Sequence, residues 1–197
     1  MKKTILAGIL LAGLSGTAAA APIVNGSFET GDFSGWNVTT TTGTANVVTS
    51  SAGFTATDGS YFADLSADSL VAQNQSWGAG DTLTFDWNFN ANDYTPYNDF
   101  SVLSITDSLG NILDNITLSD VATVGNYNAT GWNTFTYAFA AAGSGTVGFG
   151  VYNVGDQQLD SQLYLDNVSL VAVTEPATIA LFGLGLVGLG FARRRQA

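Results

Sequence analysis

The sequence has no cysteine and no histidine, only three prolines, and five basic residues against 16 acidic ones. All five bases are terminal: Lys2 and Lys3 at one end, Arg193, Arg194 and Arg195 at the other. Residues 4–192 therefore carry no positive side chain. Each absence closes a class of chemistry. Without His there is no Ser-His-Asp triad and no imidazole-ligated zinc, and without Cys there is neither a thiolate nucleophile nor a disulfide. A body without cations cannot neutralise phosphates, so nucleic acid is excluded as a partner. No glycine-rich loop followed by Lys is present to cradle a nucleotide phosphate.

What is present begins with two unusual ends. Met1-Lys2-Lys3 precedes an apolar run from Ile5 to Leu14 and then small residues up to Ala21. A basic head, a short apolar stretch and an A-x-A pattern make a secretory signal peptide over residues 1–20, cut after Ala20 and handled by the general secretion machinery. At the other end, Glu175-Pro176 leads into an uncharged run over 177–192 and then the three Arg. As a helix, that run spans about 24 Å, a little short of a hydrocarbon core of about 30 Å. Snorkelling Arg side chains or local thinning make up the difference. By the positive-inside rule the Arg cluster stays cytoplasmic and everything upstream lies outside, in agreement with the signal peptide.

The Glu-Pro pair, the apolar Gly-rich run and the terminal Arg cluster together resemble the PEP-CTERM sorting tail of Gram-negative bacteria. Thr174 stands where that family usually has its first Pro. The resemblance implies processing by an exosortase, an integral-membrane cysteine protease-transpeptidase. Its sorting residues carry over to Glu175, Pro176, Arg193, Arg194 and Arg195. It also implies a route: transient anchoring in the inner membrane through 177–192 with the body outside, then the outer surface or the extracellular (biofilm) matrix.

Between the signal peptide and a tail at 174–197 lies one domain, residues 21–173. It holds 15 of the 16 acids and no base, which favours solubility and attracts cations. Period-2 alternation dominates. Leu83, Phe85, Trp87 and Phe89 alternate with polar residues, as do Phe135, Tyr137 and Phe139, while Val147, Phe149 and Val151 alternate with Gly. These are strands with one inward face. Further strands are expected at 36–41, 45–50, 60–66, 69–74, 100–107, 111–118 and 162–171, separated by Gly-rich and Asp-Gly turns. No stretch of the body has a capped helical period. Many short strands at this spacing predict an all-β fold, a single β-sandwich or jelly roll.

The opening Asn25-Gly26-Ser27-Phe28-Glu29, with Gly31 to Trp36, resembles the start of carbohydrate-binding-module-like jelly rolls, and Leu165-Asp166-Asn167-Val168-Ser169-Leu170 resembles their last strand. In several such modules the opening Glu and the last-strand Asp bind a structural Ca²⁺. That implies Glu29 and Asp166 as ligands here, with the carbonyl of Ser27. The residues themselves leave two readings of Asp166. It shares a parity with Tyr164, Val168 and Leu170, so it points inward and needs neutral donors or a metal, since no basic partner exists. Alternatively Leu163, Leu165, Val168 and Leu170 form the inward set, and a bulge turns Asp166 outward.

Three functions compete. A non-catalytic surface or matrix protein associated with exopolysaccharide is the leading one. A carbohydrate-binding module is the second, for which Asn92, Tyr94, Tyr97 and Asp99 in the 90–99 loop offer stacking rings and short polar groups. Trp36, Trp77 and Trp132, beside glycines, could also reach loop ends, whereas Trp87 is in core phase. A small glycoside hydrolase is third and would need a close carboxylate pair, with Asp86, Asp93 and Asp99 as the only suggestive set. No spacing singles out such a pair, so the expectation is that the protein is not an enzyme.

Overall fold

The computed structural model describes residues 20–173. The expected signal peptide up to residue 19 lies outside them. So does the tail from Thr174 onward, with Glu175, Pro176 and Arg193 to Arg195. The described chain is built from β1 (Asn37–Thr40), β2 (Ala45–Val48), β3 (Ser50–Ser51), β4 (Phe54–Thr55), β5 (Phe62–Ser66), β6 (Ser69–Trp77), β7 (Thr82–Asn90), β8 (Phe100–Asp107), β9 (Ile112–Asp120), one helical turn α1 (Val121–Val124), β10 (Asn133–Ala138), β11 (Gly143–Tyr152) and β12 (Gln162–Val171).

The strands form two five-stranded antiparallel sheets, ordered β1-β6-β11-β8-β9 and β10-β7-β12-β5-β2. Their alternating apolar residues meet between the sheets, the outcome that period-2 patterning dictates. Val71, Leu103, Ile105, Val147, Phe149 and Val151 face Leu83, Phe85, Phe89, Leu163 and Leu165, all essentially buried. Phe85 meets Phe149 edge-on with ring centroids 4.7 Å apart, and Trp77 stacks on Phe139 at 4.5 Å. Each fully buried ring of this size contributes about 2–3 kcal/mol through burial alone. The expected β-sandwich is the observed fold.

Two of the tryptophans expected at loop ends are core residues instead. Trp36 is 7% and Trp77 2% exposed, and Gly143, the register partner of Trp77 on β11, makes room for its ring. A Cβ on Gly143 would lie 2.9 Å from the Trp77 indole nitrogen. The opening segment closes against the last strand: Val168 N–H donates to the Gly26 carbonyl at 3.0 Å. A Cβ on Gly26 would sit 1.9 Å from the Val168 carbonyl oxygen, so only glycine permits this approach.

Connections sort the loops to two ends. The 91–99, 121–132 and 153–161 segments gather at one end. The turns at 78–81, 108–111 and 139–142 lie at the other, where the chain leaves β12.

Candidate functional site

The far-end loops bring together three tyrosines. Tyr94 meets Tyr97 edge-on at 5.3 Å between centroids and Tyr127 at 5.7 Å with planes 33° apart. Tyr127 is 61% and Tyr94 38% exposed. Backbone bonds hold the two loops in register. Tyr127 N–H donates to the Asp93 carbonyl at 2.9 Å and Tyr97 N–H to the Tyr94 carbonyl at 3.0 Å, while Thr95 N–H donates to Asn126 Oδ1 at 3.0 Å. The Tyr97 phenol, then partial burial, then Tyr127, Asp156 and Asp93 push the Tyr94 hydroxyl above its ordinary range. It therefore stays protonated and able to donate. Exposed Asn92 stands on the same loop.

Asp99, also expected here, does not line this surface. It is 1% exposed, and it accepts from Val154 N–H at 2.9 Å and from Ser161 Oγ at 2.8 Å. It braces the 153–161 loop beneath the tyrosines, and burial raises its pKa against the pull of those bonds. Tyr127 escaped the sequence reading. Its only signal was an Asn-flanked aromatic in a short polar loop, the same composition that marked 90–99.

The second cluster lies on the outer face of the β10-β7-β12-β5-β2 sheet. The register of β12 slips between Asp166 and Ser169, with Asn167 at a φ of 51°. This bulge keeps Leu163, Leu165, Val168 and Leu170 inward and turns Asp166 outward, the second of the two readings. Asp166 nevertheless has no exposure, because the segment 56–61 crosses over it. Its Oδ2 accepts from Thr57 N at 2.7 Å, Thr57 Oγ1 at 3.0 Å and Asp58 N at 3.0 Å, and its Oδ1 from Asn167 N at 2.7 Å. Glu29 grips the same segment one step on, its Oε1 accepting from Ser60 N and Tyr61 N, both at 2.8 Å. Ser27 Oγ donates to Asp58 Oδ2 at 2.7 Å.

Ser27, Glu29 and Asp166 thus converge on one segment, but through its amides and the Asp58 side chain. Among the described residues no three acidic side chains are placed to hold a metal ion together. The donors that face Asp166 are neutral N–H and O–H groups. Burial still outweighs them and raises its pKa.

Asp86 is the register partner of Asp166 across β7 and β12. Its Oδ2 lies 2.8 Å from Thr57 Oγ1, and its Oδ1 accepts from Thr134 Oγ1 at 2.6 Å. The Thr57 hydroxyl has one proton for two carboxylates. Thr57 thus bridges the two carboxylates, and the pair is enclosed: Asp86 is 9% exposed. Trp132 joins the cover, its indole N–H donating to the Thr55 carbonyl at 2.9 Å and its ring edge-on to Phe62 at 5.6 Å.

On the outer face of the other sheet runs an open groove of about 660 Å³, lined by Asn74, Ser76, Thr106, Asp107, Ser144 and Thr146 among others. It offers hydroxyls and amides but no aromatic ring.

These features define the class: a β-sandwich of the jelly-roll type, a fold shared with adhesin domains. The K3 cleaved adhesin domain of Lys-gingipain from Porphyromonas gingivalis W83 superposes with a TM-score of 0.51 at 17% identity, over 78% of this chain and 100% of that one. The K1 cleaved adhesin domain of the same protein gives 0.50 at 15%, over 80% and 100%. A carbohydrate-binding module, TmCBM61 in complex with β-1,4-galactotriose, gives 0.49 at 18%, over 76% and 96%. At such identities the likeness establishes the fold and no more. No curated protein matches the chain. The particular identification comes from the tail: residues 172–196 match the PEP-CTERM protein-sorting motif. That motif implies an exported, exosortase-sorted protein with a C-terminal membrane-anchoring sorting signal.

Proposed function

We propose that this is a non-catalytic carbohydrate-binding protein of the outer surface or extracellular matrix, and that it holds exopolysaccharide through the Tyr94–Tyr97–Tyr127 cluster. The observation that carries the reading is that cluster. Large aromatic side chains with two rings at 38% and 61% exposure are held by main-chain bonds at the end remote from the sorting tail. Exposed rings beside short polar side chains are what a sugar ring needs for stacking and hydroxyl recognition. Pre-ordered rings also lose little freedom on binding.

Non-catalysis is supported by the carboxylates. The Asp86–Asp166 pair is covered and engaged with hydroxyl and amide donors, and Asp99 is a buried brace. None is presented to a cleft where a glycosidic bond could lie between two acids.

The test is binding of the protein to acidic and neutral exopolysaccharides by affinity electrophoresis. Tyr127→Ala and Tyr94→Ala should each weaken retention about tenfold, equivalent to about 1.4 kcal/mol, and leave the unfolding midpoint in place. Retention unchanged in the double variant would refute this site. Retention lost instead on Asn74→Ala with Thr146→Ala would move the site to the groove.

A further inference from the structure

The end of the sandwich from which the tail departs differs in character from the tyrosine end. Ten large hydrophobic side chains are exposed among the described residues, and half of them lie here: Leu109 at 86%, Ile112 at 67%, Leu113 at 55%, Val171 at 56% and Val173 at 55%. Leu109 lies in the β8–β9 turn and Ile112 and Leu113 open β9, while Val171 ends β12 and Val173 follows it. Of the carboxylates at this end, only Asp107 and Asp114 are partly exposed. Asp81 is buried at 3% exposure, and Asp107 is folded into its own turn, accepting from Leu109 N, Asn111 N and Asn111 Nδ2. Only Asp114 follows nearby on β9. The opposite end carries the partly exposed Asp68, Asp120, Asp156 and Asp160, with Asp93 and Asp99 buried.

The chain's exit is pinned to this end. Val173 N–H donates to Asp81 Oδ1 at 2.9 Å, and the other Asp81 oxygen accepts from Gly78 N–H at 2.5 Å. Only Thr174, Glu175 and Pro176 separate Val173 from the apolar run. Three residues reach at most about 11 Å even when fully extended. A headgroup layer is about 6 Å deep on each side of the bilayer. A tether this short cannot hold the domain far from the lipid into which the sorting signal anchors.

Resting on the sorting-tail assignment, we propose that the Leu109–Leu113 segment and the Val171–Val173 exit form a lipid-facing rim, which lies against the phospholipid headgroup region while the tail is anchored. Aliphatic side chains at an interface gain by leaving water, and an end with fewer exposed carboxylates than the far end meets less repulsion from anionic lipids. The rim fixes the orientation of the body. A ten-residue strand is about 33 Å long, so the tyrosine cluster stands that far out from the membrane.

The absence of cysteine makes the test direct. The full chain is reconstituted into vesicles of phosphatidylethanolamine and phosphatidylglycerol containing a headgroup nitroxide lipid. A fluorophore is placed at Leu109→Cys, Leu113→Cys or, at the far end, Val154→Cys. Labels at 109 and 113 should be quenched severalfold more than the label at 154. In a Leu109→Asn, Ile112→Asn background the label at 113 should lose that quenching while vesicle flotation persists. Equal quenching at 109 and 154 on floated protein overturns the rim and leaves the tail assignment standing. Shielding of 109 that requires exosortase-containing membranes overturns lipid in favour of a protein partner. Protein that does not float with the vesicles overturns the tail assignment, and the rim with it.

Discussion

Replacing Asp166 with Ala removes an acceptor from four donors at once: Thr57 N, Thr57 Oγ1, Asp58 N and Asn167 N. A hydrogen bond to a charged group contributes about 1.5–3 kcal/mol, so a simple sum would be far too large. Two effects reduce it. The buried carboxylate is itself costly, as its raised pKa records, and that cost disappears with the side chain. The exposed Thr57 and Asp58 can also turn to water. A net loss of about 2–3 kcal/mol is expected. That corresponds to a fall in unfolding midpoint of about 5–10 °C for a domain of this size. Asp166→Asn keeps one oxygen for the Thr57 and Asp58 amides and should lose about half as much. Urea unfolding followed by tryptophan fluorescence gives both numbers. An Ala variant within about 0.5 kcal/mol of the parent would refute the bracing role, as would an Asn variant less stable than Ala.

Three further outcomes follow from the same structure. Burial raises the pKa of Asp64, Asp99 and Asp166, so the folded state binds protons more tightly than the unfolded chain. Their contribution is full below the ordinary carboxylate value of 3.8 and is lost as pH rises through the folded values; the midpoint should therefore climb as pH is lowered from neutral towards 3.8, and a monotonic fall would contradict it. Millimolar Ca²⁺, added or chelated, should leave the midpoint unchanged, since Asp166 accepts from neutral donors; a rise abolished by Glu29→Gln would instead place the ion at the opening segment. Gly26→Ala forces a methyl into the Val168 carbonyl and should destabilise by about 3 kcal/mol, measured in the same urea experiment.

The strands were legible because alternation is local. Leu83 to Phe89, Phe135 to Phe139 and Val147 to Val151 announce an inward face within a few residues, and each became a strand at nearly the expected bounds. Asp166 shows where local reading stops. Parity along 162–171 could not reveal the bulge. The bulge alone would have exposed the carboxylate, which is buried only because a segment about a hundred residues earlier folds across it. Trp77 misled for a related reason, since the space for its ring is left by Gly143 on β11 and not by the adjacent Gly78. Tyr127 reaches Tyr94 through two loops that only the completed sandwich brings side by side.

The tail leaves from β12, an interior strand with neighbours on both sides, eight register pairs with β7 and four with β5. Its bonds to those neighbours run across the strand axis. A polysaccharide gripped at the tyrosine end and a tail anchored at the other would pull along that axis. The load then falls on the whole ladder at once as shear, instead of opening it pair by pair from an edge. On the proposed function, the sandwich would carry that pull along the direction in which its ladder is strongest.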